Sequence, residues 1–83
     1  MTHELKTWPE PFGAVVTGRK THEVRKYDRN FIVGDELLLR EYDPDTQTYS
    51  GRNCLVRVKY VTQGGTFGLP DDLCVMSIGD LIY

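Results

Sequence analysis

Glycine, proline and aspartate punctuate this chain so closely that no apolar pattern runs beyond about ten residues, a spacing that confines it to short strands. Strand-like alternation reads over His3 to Lys6, Lys20 to Lys26, Glu36 to Tyr42, Asn53 to Thr62 and Leu73 to Ile78, with Leu81 to Tyr83 as an extension. One helical stripe interrupts them: Phe12, Val15 and Val16 fall at i, i+3 and i+4. Thr7-Trp8-Pro9-Glu10 ahead of it has the T-x-x-E form of a capping box, with proline in the first turn, so the helix is predicted to start near Trp8. Gly18 is placed to end it in a left-handed conformation. The predicted fold is α+β and mainly β: a small open barrel of about five mostly antiparallel strands, with one short helix after the first strand.

With 83 residues the chain holds one core, and residues 1–83 are expected to form a single domain. Its 40% hydrophobic content is that of a globular chain, not of a disordered or collagen-like one. Cys54 and Cys74 lie in apolar runs without C-x-x-C spacing and read as reduced core thiols. No secretory leader is expected, and the longest apolar stretch, Leu73 to Met76, is far short of the ~20 residues of a membrane helix. A soluble, cytoplasmic protein without a membrane partner is expected.

Expected strand parity sends Thr21, Glu23 and Arg25 to one face of the second strand and His22, Val24 and Lys26 to the other. Tyr27 to Gly34 reads as a loop anchored by Phe31 and Val33, and Gly34-Asp35 as the turn before the third strand. In Asn53 to Thr62, Cys54, Val56, Val58 and Tyr60 share one face. The run from Leu73 to Ile78 is nearly continuous, as in a strand buried on both sides. Tyr27, Tyr42 and Tyr49 read as ordinary strand and loop aromatics, and Asp43, Asp45, Asp71 and Asp72 as turn residues.

A net charge of −2 gives no global attraction to nucleic acid. Charge is segregated, however. Arg19, Lys20, Arg25, Lys26 and Arg29 against Glu23 and Asp28 give one short segment a net +3, leaving −5 on the rest. Such segregation suits a phosphate-contacting surface, since local potential sets attraction at contact. The plainer reading is a solvated strand face on which Glu23 and Arg25 pair.

Gly18-Arg19-Lys20-Thr21-His22-Glu23-Val24-Arg25 fits G-x-K-x-x-E-x-R. With His3-Glu4-Leu5-Lys6 before the helix, Asp28-Arg29 after the motif and Val33-Gly34-Asp35 before a leucine strand, the chain resembles the ASCH domain, a branch of the PUA-like barrels, over nearly its whole length. These residues look like those of the small uncharacterised prokaryotic branch of that family. The resemblance implies an RNA- or nucleoside-binding cleft between helix and barrel. Lys20 and Arg25 would then meet phosphate, Glu23 or Trp8 a base, and Arg29 and Lys26 would supply backbone charge. Against this stands the commoner fate of a lone tryptophan, burial in the core.

Some ASCH proteins act as small amidohydrolases on acylated cytidine, and others as ribonucleases, so the alternative is a small hydrolase. Lys20 matches the lysine of the amidohydrolase type. The threonine nucleophile expected three residues later is Glu23 here, and Thr21 is out of place. Glu23 as general base with Lys20 on an oxyanion is the remaining catalytic pairing. His3 and His22 lack partners at metal-ligand spacing, and no phosphate-loop, dinucleotide or serine-elbow motif is present, so no metal or cofactor is expected. Oligomeric state is not legible in the sequence.

Overall fold

The computed structural model describes all 83 residues. Strand β1 (Thr2–Thr7) leads into helix α1 (Pro9–Val16), followed by β2 (His22–Lys26), β3 (Glu36–Asp43), β4 (Thr48–Gln63) and β5 (Leu73–Leu81). The sheet order is β1-β3-β4-β5-β2. Only β1 and β3 run parallel, with Lys6 opposite Arg40, and the other neighbours are antiparallel. This is a mixed five-stranded half-barrel with its helix after the first strand, as the turn spacing predicts.

The curl comes from β4. Its first half pairs with β3 and its second half with β5, and bulges interrupt both ladders. Bulges bend and twist a strand, so one long strand serves two walls. At the first bulge Gly51 has φ 91°, while Ser50 Oγ donates to Glu41 and accepts the amide of Arg52. The sequence pattern carries the hairpin connection from Asp43 as far as Ser50-Gly51 and starts the strand at Asn53, whereas β4 already begins at Thr48.

The predicted helix forms, but its start differs in detail. Trp8, not Thr7, is the N-cap residue, and no side chain caps the helix. Pro9 and Pro11 replace that support by fixing the first turn and leaving fewer amides to satisfy. At the other end Gly18, at φ 79°, donates to the Val15 carbonyl while the Arg19 amide donates to Ala14. This is a Schellman closure, which turns the chain sharply and delivers Lys20 to the entry of β2. Phe12 and Val15 are buried against the sheet, and Val16 packs beside them. Burying a side chain such as Phe12 contributes roughly 1.5–3 kcal/mol, which holds a helix too short to persist alone.

Three patterning expectations are corrected. In β2 the parity holds, but the face of Glu23 and Arg25 is not the solvated one: Glu23 is 3% exposed and Arg25 half-buried, whereas Val24 is 49% exposed. The strand starts at His22, so Thr21 lies ahead of it. In β4 the register shift between Val58 and Tyr60 turns Tyr60 to solvent and brings Val61 against the core. In β5, Cys74, Met76 and Ile78 are buried while Ser77 is exposed, so this is a strand with one buried face. The amides of Ile82 and Leu55 donate to the Leu55 and Tyr83 carbonyls respectively, so the tail does extend the sheet.

The loop before β3 is held by Phe31, which is buried, and not by Val33, which is exposed. Its hub is Asp35. Oδ2 accepts from His3 Nε2 at 2.8 Å and from the Ile32 amide at 3.2 Å. The bond from His3, joined by the Ile32 amide, holds the Asp35 carboxyl below the usual carboxylate range despite its burial. Both cysteines are free and buried. Burial pushes their thiols up, and the negative charge of Glu23 adds to the effect at Cys54. No helix is long and apolar enough to cross a membrane.

Candidate functional site

The two outermost strands, β1 and β2, face one another across the open side of the half-barrel, and α1 closes one end of that seam. A hollow of about 420 Å³ lies there, lined by Lys6, Thr7, Trp8, Pro11, Lys20, Glu23, Val24 and Arg25. Its organising group is the Glu23 carboxylate. Oε1 accepts from Lys20 Nζ at 2.8 Å, and Oε2 accepts from Arg25 Nε at 3.0 Å. Lys20 Nζ also donates to the His22 carbonyl. Arg25 Nη2 donates to the Lys6 carbonyl at 2.8 Å and to Thr7 Oγ1 at 3.3 Å, tying β2 to β1.

Burying a carboxylate is costly unless it is paired and hydrogen-bonded, and here two cations pair it. The two cations also keep contact with solvent: the Lys20 and Arg25 side chains are 22% and 25% exposed. One buried negative charge therefore orients two partly accessible positive ones. The local excess of positive charge is available to an anion, and the donors are already aimed.

Trp8 stands at the rim, 60% exposed, because the residue that caps α1 points its indole away from the packed face. The commoner expectation of a core tryptophan does not hold. Lys20, Glu23, Arg25 and Trp8 are thus brought together. Arg29 is not in this hollow; it lines an adjoining one together with Arg25, and its Nε lies 3.4 Å from Asp28. Lys26 is exposed on β2 and lines none of these hollows. Thr21 faces a different depression beside Lys59 and Asp80, so its hydroxyl does not share the Glu23 hollow.

Sequence reasoning missed Lys6 and Thr7. Thr7 has the form of a helix cap but is buried, with its hydroxyl accepting from Arg25. The available signal was the alternation of β1, which places Thr7 on the inward face with His3 and Leu5. No three His, Cys, Asp or Glu side chains converge to hold a metal ion.

A family model described as a domain of unknown function, DUF3850, matches residues 2–78. The chain belongs to the DUF3850 family. The match takes in β1, α1, β2 and hence every side chain of the hollow. This DUF3850 domain is also similar to an uncharacterised 12.9 kDa protein in the GpA 3′ region of Escherichia phage P2, at 38% identity over 60 residues. Those residues are 72% of this chain and 53% of the phage protein, so the DUF3850 domain spans about half of that relative.

Proposed function

We propose that this DUF3850 domain is a PUA-like module of ASCH type that binds RNA or a nucleotide in the hollow between α1 and the half-barrel. Lys20 and Arg25 take phosphate, and the Trp8 indole stacks on the base. The observation that carries this reading is the juxtaposition of an exposed indole with two cations whose donors are oriented by one buried carboxylate. Stacking platforms beside positive charge are the usual equipment for holding unpaired nucleotides. The G-x-K-x-x-E-x-R pattern supports the same reading, since its Lys, Glu and Arg are the three side chains that meet here. A reducing cytoplasmic setting suits two free buried thiols.

The hydrolytic alternative draws less support. Both Glu23 oxygens already accept from cations, and the hydroxyl of Thr7 accepts from Arg25. Glu23 has no hydroxyl hydrogen-bonded to it that it could activate as a base.

Trp8 is the sole tryptophan, so its fluorescence reports directly on the site. Titration with uridine 5′-monophosphate at low salt is expected to quench it, with weak affinity that falls as salt rises. The Lys20→Ala, Arg25→Ala double variant should lose this binding. Trp8→Ala, at an exposed position outside the buried core cluster, should weaken binding by about fivefold or more, measured by NMR titration. Superimposable curves for wild type and both variants overturn the proposal.

A further inference from the structure

The hollow around Glu23 does not end at Arg25. A second depression of about 370 Å³ continues from it, sharing Lys6 and Arg25 and adding Glu4, Arg29, Arg40 and Tyr49. Its far wall is the outer face of β1, β3 and the start of β4. Register puts Lys6 beside Arg40 and Tyr42 beside Tyr49. Strand alternation turns Lys6, Arg40 and Tyr42 outward, because Leu5, Leu39 and Glu41 between them are buried.

Cations and rings interleave on this face. Lys6 Nζ lies 4.4 Å from the centre of the Tyr42 ring, and the Arg40 guanidinium 4.0 Å from that of Tyr49. The two rings meet edge to face at 5.0 Å. The acidic neighbours hold their cations only at 3.4 Å in solvent, Glu4 on Arg40 and Asp28 on Arg29, bonds that exchange readily. Together the two depressions present Lys6, Lys20, Arg25, Arg29 and Arg40 against Glu4 and Glu23, a net +3 on a chain of net −2.

We propose that these depressions form one track for a single strand of nucleic acid, so that the ligand is a polymer and not a lone nucleotide. The inference rests on the nucleotide reading of the first hollow and extends it. A strand with a phosphate at Lys20 and Arg25 passes Lys6 to bring its next phosphate to Arg40, and its next base stacks on the Tyr49 and Arg40 layer. Aromatic rings and guanidinium planes both accept unstacked bases, and each phosphate neutralised steepens the salt dependence. A duplex keeps its bases stacked internally and has nothing to offer Tyr49.

The test compares uridine 5′-monophosphate, an oligouridylate of about six nucleotides and a duplex RNA of equal length, by calorimetry and fluorescence anisotropy. The oligomer is expected to bind at least tenfold more tightly than the monophosphate and than the duplex. The Arg40→Ala, Tyr49→Ala double variant, altered only on the outer face, should weaken the oligomer by about fivefold or more. It should also lower the log–log salt slope by about 0.7 and leave the monophosphate within twofold of wild type. An oligomer that binds no better than the monophosphate, a duplex that binds as well as the single strand, or a double variant that binds the oligomer as wild type does overturns the track. The first hollow stands in each of these cases provided Lys20→Ala still weakens the monophosphate. A monophosphate indifferent to Lys20→Ala fails the nucleotide reading, and the track with it.

Discussion

Glu23→Gln removes the charge that holds the seam together while keeping the side chain's size. The amide offers one acceptor and turns two donors toward a cation that also donates, so one of the contacts at 2.8 and 3.0 Å becomes repulsive. Breaking a fully buried ion pair costs about 3–5 kcal/mol. Lys20 and Arg25 are 22% and 25% exposed and can recover hydration, which lowers the expected cost to about 2–3 kcal/mol. Unfolding entropy for 83 residues is about 0.17 kcal/mol per kelvin, so the melting temperature should fall by roughly 12–17 °C. Circular-dichroism melts measure this, with Glu4→Gln as the control: its exposed pairing with Arg40 should be worth no more than about 3 °C. Combining Glu23→Gln with Arg25→Gln should cost less than the two changes separately, by about 1–2 kcal/mol. A Glu23→Gln melt as close to wild type as the Glu4→Gln control, or strict additivity with Arg25→Gln, would refute the idea that this carboxylate organises the site.

Two further outcomes follow from the loops. Gly18→Ala meets open space but must hold φ 79°, which costs about 1–2 kcal/mol, whereas at Gly64 a Cβ would strike the Pro70 carbonyl and come within 2.7 Å of the Leu73 carbonyl. Gly64→Ala should therefore melt lower than Gly18→Ala, and the reverse order would contradict the packing of that loop. Asp35, its carboxyl held low chiefly by His3, stabilises the fold above its unfolded value near 3.9 and loses that contribution as pH falls below it. Melts between about pH 6 and pH 2.5 should show wild type losing its advantage over Asp35→Asn as acid is added, and parallel curves would count against the buried pair.

The helix was legible because Phe12, Val15 and Val16 carry a local period and Gly18 a local stop, and the motif residues Lys20, Glu23 and Arg25 proved to meet. What the sequence hid is which side of β2 faces inward. Parity is a local property, but the choice of face depends on partners elsewhere. Hydrophobicity favours burying Val24, yet two cations on Glu23 and a β1 carbonyl for Arg25 reverse that choice. Tyr60 was misassigned for a related reason, since a bulge that breaks alternation leaves no mark on either side of itself. The Lys6, Arg40, Tyr42 and Tyr49 cluster comes from three strands, two of them joined only by parallel crossover, so its members looked like unrelated surface residues.

The strands at either end of the sheet, β1 and β2, have no ladder between them, and the Arg25 guanidinium on the Lys6 carbonyl works as a hasp across the gap. Anything grasping Lys6 and Lys20 at once fastens both banks. Occupancy and closure then become a single event, and a bound guest lends rigidity to the side of the molecule where the backbone itself supplies none.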